Sequence, residues 1–191
     1  MTNLTSLTQL PQRGRRFLIH FMKDGAGSVA VEAVLILPFL LWAFLATFVY
    51  FDAFRQSSIN LRAAYTIGDM LSRETAAVNS SYVNSLQSLF SFLSKGDSDP
   101  AVRVSVAMWD AEDNAYKLDW SAARGGRPSL TEESVNAMRD RLPNLPDNER
   151  VIVVETWSTY KPLFNVGLKQ DELYNMVFTS PRFAPQLVWE N

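Results

Sequence analysis

The sequence predicts an α+β fold: a long N-terminal helix, membrane-spanning in its first half, packed on a small antiparallel sheet with short helices. Three observations lead to this prediction. Residues 33–51 contain no charged side chain, helical periodicity follows them, and apolar and polar residues alternate after residue 100. We therefore expect a basic cytoplasmic leader (1–27), a transmembrane helix (28–51) and an extracytoplasmic α+β domain (52–191).

The apolar run has the length of a membrane span. Its 19 residues would rise about 28 Å as a helix, close to the ~30 Å hydrocarbon core of a bilayer. A soluble helix of this length normally carries a polar face, and this segment has none. A cleaved signal peptide does not fit either, because its apolar run is usually only about 7–15 residues long. No small-x-small cleavage site follows the run before Arg55.

The charges on either side of the run predict its orientation. Before the predicted span, which starts at residue 28, stand four basic side chains and one acidic side chain: Arg13, Arg15, Arg16, Lys23 and Asp24. In the residues that follow, two basic side chains are offset by two acidic ones. The positive-inside rule therefore places the N-terminus in the cytoplasm and the C-terminal domain outside it.

Beyond the span, hydrophobic periodicity predicts two helices. In the first, which continues the span, we expect an apolar stripe to face the domain. Its members recur at helical spacing and are Phe54, Leu61, Tyr65 and Leu71, with Ile67 and Met70 nearby. The second helix is predicted over residues 81–94, with Gly96 as its C-cap.

The remaining elements are predicted from alternation, turn and capping signals. Strands are expected over residues 102–109 and 116–121, joined at the turn Asp113–Asn114, and over 150–160. Thr131 has the character of an N-cap for a short helix that ends at Pro143. The tail after Leu168 gives no assignment.

The most informative residues stand where the chain enters the apolar run. Glu32 is a lone acid at the start of the predicted span, a position that is costly unless it is shallow or paired. One interpretation is an interfacial acid favoured by the helix dipole. The other starts from Gly27, five positions earlier: cleavage after it would make Ser28 the new N-terminus and Glu32 the fifth residue. In a bundle of such helices, one subunit's carboxylate would then neutralise its neighbour's amine.

This arrangement resembles a known signal. A basic leader, a glycine, a glutamate five residues later and an apolar helix are typical of the type IV prepilin-like signal. Residues 27–54 resemble the N-terminal module of TadE-like proteins of the Tad (Flp, tight adherence) pilus system. Residues 69–74, which follow the predicted span, are similar to the sequence found after the span in TadE-like and TadG-like proteins of alphaproteobacteria. The chain differs from major Flp pilins in its greater length and in Ala33, which stands where an aromatic residue is usual.

The resemblance implies a pilin-like arrangement and a minor pseudopilin of the bacterial inner membrane that helps to assemble a Tad/Flp pilus without catalysis. It implies prepilin peptidase cleavage between Gly27 and Ser28, and an assembly role for Glu32. The implied partners are the peptidase, other pilin-like subunits, the inner-membrane assembly platform and membrane lipid. Two alternatives stay open: a signal-anchored periplasmic binding or sensor domain unrelated to pili, and an exported, anchored enzyme.

Composition argues against several kinds of site. The chain has no cysteine, and its one histidine, His20, lies in the predicted leader. A Ser-His-Asp triad, a thiolate site and a multi-histidine metal site are therefore not expected in the domain, and neither is a cofactor. Residues 28–191 carry 14 basic and 19 acidic side chains, a formal charge of −5 that disfavours nucleic-acid binding. The segment 110–121 lacks the glycine and final glutamate of an EF-hand, so we expect an acidic turn.

Overall fold

The computed structural model describes residues 25–94 and 100–190, with side chains from Val29 onward. Most of the predicted leader, and the predicted C-cap Gly96, lie outside the described residues. The chain divides into two compact units, with the boundary after Phe48.

The described elements follow one another as two helices, a hairpin, a short helical segment and two further strands. They are α1 (Gly25–Arg73), α2 (Ser80–Ser94), β1 (Ala101–Asp110), β2 (Ala115–Arg124), α3 (Glu132–Ala137), a 3₁₀ helix (Arg139–Arg141), β3 (Arg150–Tyr160) and β4 (Asp171–Thr179). This confirms the predicted α+β class, a long N-terminal helix followed by a small antiparallel sheet with short helices.

The helix α1 is continuous over 49 residues. It begins at Gly25, three residues before the predicted start at residue 28. Each glycine costs about 1 kcal/mol relative to alanine inside a helix. Extending an existing helix, however, adds a hydrogen bond for each residue that is fixed, which offsets that cost. Pro38 lies inside the helix and does not end it.

After residue 48, α1 buries a face of mostly small residues. That face includes Asn60, Ala63, Ala64, Ile67 and Leu71. The predicted stripe is therefore right at Ile67 and Leu71 but wrong elsewhere. The exposed members are Phe54, Leu61, Tyr65 and Met70, at 73%, 40%, 60% and 40%. The alanines explain the difference, because small side chains let a helix lie close to the sheet while larger ones point away. Gly68 extends this close face, since a Cβ built there would meet Val177 at 3.7 Å.

The four strands form one antiparallel sheet in the order β2-β1-β3-β4. The predicted hairpin is present as β1 and β2, and its register shifts between Val106 and Ala107. The predicted strand 150–160 is β3, which lies at the centre of the sheet between β1 and β4. The strand β4 occupies part of the tail after Leu168, for which no element was predicted.

Both faces of the sheet are covered, which explains why β3 is buried without interruption from Val151 to Ser158. One face packs against α1 and α2. Its core members include Ile67, Leu71, Leu86, Phe90, Val104, Val106, Ile152 and Val154. The other face is covered by α3 and the residues after it, and its buried members are Ala107, Tyr116, Leu130, Val135, Leu142, Val151 and Val153.

The short helix α3 starts as the sequence predicts. The Thr131 side chain accepts a hydrogen bond from the Ser134 backbone N–H, and the Ser134 hydroxyl caps the Thr131 N–H in return. Leu130 and Val135 flank this cap and are buried in the same cluster, as expected of a hydrophobic staple. The α-helix ends at Ala137 and tightens into a 3₁₀ turn before the predicted stop at Pro143.

Candidate functional site

The residues predicted to carry function lie on the first turns of α1. Gly27 and Ser28 are within the helix, and Glu32 follows Ser28 by four residues. Residues at this spacing lie on the same side of a helix, about 6 Å apart along its axis. A chain that began at Ser28 would therefore carry its α-amine one turn before the carboxylate of Glu32.

Glu32 is an exposed carboxylate in apolar surroundings. It lines a shallow depression on α1 whose other residues are all apolar: Val29, Ala33, Ile36, Leu37 and Leu40. Among the described residues, Glu32 has no hydrogen-bond or ion-pair partner. The surface around it is suited to lipid or to another apolar helix, and α1 carries no basic side chain before Arg55.

The helix that carries Glu32 is long and apolar enough to cross a membrane. Its most apolar 18-residue window has a mean hydropathy of 2.4, and none of that window is buried. The exposed apolar side chains lie on every side of the helix and include Val34, Leu35, Phe39, Leu41, Trp42, Phe44 and Phe48. Within the described residues this is the one helix with these properties.

Near the end of the apolar run, hydrogen bonds connect α1 to the last residue of β3. The Tyr160 hydroxyl lies 3.2 Å from the Val49 carbonyl oxygen and 3.2 Å from Oδ2 of Asp52. Burial raises the pKa of Tyr160, and the charge of Asp52 and the hydrogen bond to it act in the same direction. The hydroxyl therefore stays protonated and donates to the helix at this level.

A buried polar cluster that the sequence patterns did not predict lies on the face of the sheet covered by α3. Glu155 is 2% exposed, and its carboxylate accepts hydrogen bonds from Nε of Arg103 at 2.6 Å and from the Tyr174 hydroxyl at 2.7 Å. The guanidinium groups of Arg103 and Arg127 both lie about 5 Å from the ring centre of Trp157. These contacts satisfy the buried charge internally, so we interpret the cluster as structural.

The acidic segment after β1 forms the expected turn. Oδ1 of Asp110 accepts hydrogen bonds from the backbone N–H groups of Glu112 and Asp113 at 3.0 and 3.1 Å. Asn114 completes the turn with a φ of 51°, a left-handed conformation that asparagine tolerates. Across residues 25–94 and 100–190, no group of three or more histidine, cysteine, aspartate or glutamate side chains is placed to hold a metal ion.

Comparison with known proteins does not identify a family. No protein-family model, curated protein or solved structure matches the chain.

Proposed function

We propose that the chain is a minor pseudopilin-like protein of the bacterial inner membrane that takes part, without catalysis, in assembling a Tad/Flp-type pilus. The observation that carries the proposal is the position of Glu32. It stands five residues after Gly27, on the first turns of a helix that continues through 19 uncharged residues into an α+β domain. The proposed partners are a prepilin peptidase, other pilin-like subunits, the inner-membrane assembly platform and membrane lipid.

The proposed topology has the N-terminus in the cytoplasm and the α+β domain in the periplasm. The supporting observation is the concentration of Arg13, Arg15, Arg16 and Lys23 before residue 28, with only Asp24 opposing them in that segment. Short basic segments next to a span are retained on the cytoplasmic side. The peptidase that we propose would act on this side, at the bond between Gly27 and Ser28.

The proposed role of Glu32 follows from its unpaired charge. A carboxylate at the centre of a bilayer costs about 2.5–3.5 kcal/mol on insertion scales, and less near the interface. After cleavage, the new α-amine of a neighbouring subunit would supply an opposite charge at the same depth. The pair would then favour one register between adjacent helices, because any other register leaves both charges unpaired in apolar surroundings.

The competing proposal is a signal-anchored binding or sensor domain unrelated to pili. In that case residues 1–27 would remain attached, and Glu32 would be an interfacial acid near the start of the helix. Its interaction with the helix dipole would then be worth on the order of 0.3–1 kcal/mol, and its removal would leave function intact. The two proposals therefore differ in what happens to partner binding when Glu32 loses its charge.

The decisive experiment compares Glu32→Gln and Glu32→Ala with Glu112→Gln in cells that produce the native pilus system. Glu112 is an exposed acid in the β1–β2 turn, so its substitution removes the same charge far along the chain from α1. The readouts are crosslinking and co-purification with pilin-like subunits, together with surface pili and adherence.

We expect both Glu32 variants to be inserted and exported but to fail in co-assembly, while Glu112→Gln assembles normally. Breaking a buried charge pair typically costs about 3–5 kcal/mol, enough to abolish a specific association. Normal assembly by both Glu32 variants would contradict the proposal and favour the anchored domain.

A further inference from the structure

The loop between β3 and β4, residues 161–170, leaves the sheet beside the point on α1 where the apolar run ends. Tyr160 is the last residue of β3, and its hydroxyl lies 3.2 Å from the Val49 carbonyl oxygen. The uncharged run ends two residues after Val49, at Phe51. The loop therefore starts at the level where the proposed span leaves the bilayer.

The direction of the two strands shows that the loop is at the end of the sheet nearest Val49. Nδ2 of Asn60 donates to Ser158 Oγ at 2.6 Å, whereas Tyr160, two residues later, reaches back to Val49 and Asp52. The strand β3 thus runs along α1 from the level of Asn60 toward that of Val49. The strand β4 runs back, because its late residues Val177 and Thr179 lie beside Gly68.

The loop exposes two large apolar side chains at its tip. Leu163 is 70% exposed and Phe164 is 45% exposed, while Val166, two residues further on, is buried and holds the loop to the domain. Adjacent exposed leucine and phenylalanine side chains are unfavourable in water, and they are the types that enter the interfacial region of a bilayer.

The same loop carries positive charge. Lys161 and Lys169 are exposed, and residues 161–170 contain no acidic side chain. Both lysines line one shallow depression, together with Pro162, Asn165, Leu168 and Gln170. Basic side chains next to a membrane are attracted to anionic lipid headgroups.

The acidic groups nearby are mostly engaged. The Asp52 carboxylate accepts the Tyr160 hydroxyl, and Glu172 forms an ion pair with Arg127. Asp171 follows the loop directly, and one of its carboxylate oxygens accepts the backbone N–H of Glu172. The loop itself therefore presents a positive face.

We propose that residues 161–170 dock on the surface of the bilayer that α1 crosses. Leu163 and Phe164 enter the headgroup region, and Lys161 and Lys169 pair with the phosphates of anionic lipids. This contact gives the domain a second attachment beside its helix and fixes which side faces the membrane. It rests on the membrane span of the proposed function but not on a role in pili.

The test uses the full chain reconstituted in vesicles of phosphatidylcholine and phosphatidylglycerol. Because the chain has no cysteine, an Asn165→Cys variant carries a single environment-sensitive fluorophore in the loop while Leu163 and Phe164 stay in place. Two further single-cysteine variants serve as references: Glu112→Cys in the β1–β2 turn and Leu40→Cys in the span. Lipids that bear a quencher near the headgroup, or deep in the acyl chain, report the depth of each label.

We expect the shallow quencher to quench the Asn165 label several-fold more than the Glu112 label. The deep quencher should quench the Leu40 label. In the Asn165 background, L163S combined with F164S should lower shallow quenching to the level of the Glu112 label. The matched pair F183S and V188S also replaces two exposed apolar side chains, but outside the loop, and should leave quenching unchanged.

The lysines should act only through anionic lipid. K161Q combined with K169Q should reduce quenching in vesicles that contain phosphatidylglycerol, and the difference should shrink at high salt. If the Leu40 label is quenched while the Asn165 label behaves like the Glu112 label, the membrane span is supported and loop docking on lipid is wrong. A loop that binds a protein partner instead of lipid would give this result. If the Leu40 label is not quenched either, the span itself fails and the docking fails with it.

Discussion

Glu155 on β3 and Arg103 on the neighbouring strand β1 form a buried ion pair, with 2.6 Å between Arg103 Nε and Glu155 Oε2. Their side chains are 2% and 11% exposed. The Tyr174 hydroxyl from β4 donates to the second carboxylate oxygen at 2.7 Å. One carboxylate therefore links three of the four strands on the face of the sheet that is turned away from α1.

We predict that replacing one member of this pair is more damaging than replacing both. Arg103→Met leaves the Glu155 carboxylate buried without its cation, which should lower the free energy of unfolding by about 3–5 kcal/mol. Arg103→Met combined with Glu155→Leu removes both charges and should recover much of that loss. Urea unfolding of the detergent-solubilised chain, followed by tryptophan fluorescence, measures both. A double variant as unstable as the single one would contradict this account.

The link through Tyr174 predicts a loss of stability in alkali. Burial raises the pKa of Tyr174 to about 12, and the hydrogen bond to Glu155 and its charge act in the same direction. A folded-state pKa above the ordinary value of 10 means that folding favours the neutral phenol. This contribution is complete below about pH 10 and is lost as the pH rises through about 12.

Tyr174→Phe tests the alkaline prediction, because phenylalanine does not titrate. The free energy of unfolding of the variant should fall less steeply than that of the wild type between about pH 10 and about pH 12. Tyr65→Phe is the matched control, since Tyr65 is 60% exposed on α1. Equal slopes for the wild type and Tyr174→Phe would show that the buried phenol does not contribute.

The Glu155 cluster also shows what sequence patterns miss. Arg103 and Glu155 are 52 residues apart in the chain, and Arg103 occupies a polar position in an alternating strand. Alternation predicts that such positions face solvent. Here α3 and the residues after it cover the second face of the sheet, so positions that alternate as polar become buried and must pair. The local alternation of polar and apolar residues does not indicate that a second layer covers this face.

The other elements were predicted where nearby residues carry the signal for the element, and missed where they do not. The strand β3 is predicted because Val151 to Val154 form a β-branched run, and α3 because Thr131 supplies its own cap. The strand β4 is missed because it begins with Asp171 and Glu172 and is interrupted by Asn175, all poor strand formers. It forms through pairing with β3 along its whole length, from Tyr160 with Asp171 to Ile152 with Thr179.

Processing at Gly27 is a separate prediction. In the resembling proteins the peptidase requires a small residue before the cut, so Gly27→Val should leave a full-length product when the peptidase is present. Gly25→Val is the matched control, because it makes the same change two residues away and should be cleaved normally. N-terminal sequencing of the chain recovered from its native membrane identifies the cut. A wild-type chain that retains all 191 residues beside its peptidase would argue against cleavage.

The topology can be tested with reporter fusions. Alkaline phosphatase is active only outside the cytoplasm, so a fusion after Glu74, just past the end of α1 at Arg73, should be active. A fusion after Asp24, before the apolar run, should be inactive. An inactive Glu74 fusion that is stably produced would contradict the proposed orientation.

The last prediction concerns the bond between the end of β3 and α1. Tyr160 is 6% exposed, and its single hydroxyl hydrogen is shared between the Val49 carbonyl oxygen and the Asp52 carboxylate. Tyr160→Phe keeps the packed ring and removes only this donor, so it should lower the free energy of unfolding by about 1 kcal/mol. Tyr65→Phe removes an exposed hydroxyl and should change it by less than about 0.5 kcal/mol.

The same variant has a local consequence that global unfolding does not report. Because Tyr160 is the residue from which the 161–170 loop departs, losing its bond to α1 should speed amide hydrogen exchange at Val166 and in the first residues of β4. Exchange in β1 and β2 should stay near the wild-type rate, since neither strand contacts this hydroxyl. If exchange rises equally in all four strands, Tyr160 stabilises the domain as a whole and does not anchor the end of the sheet to the helix.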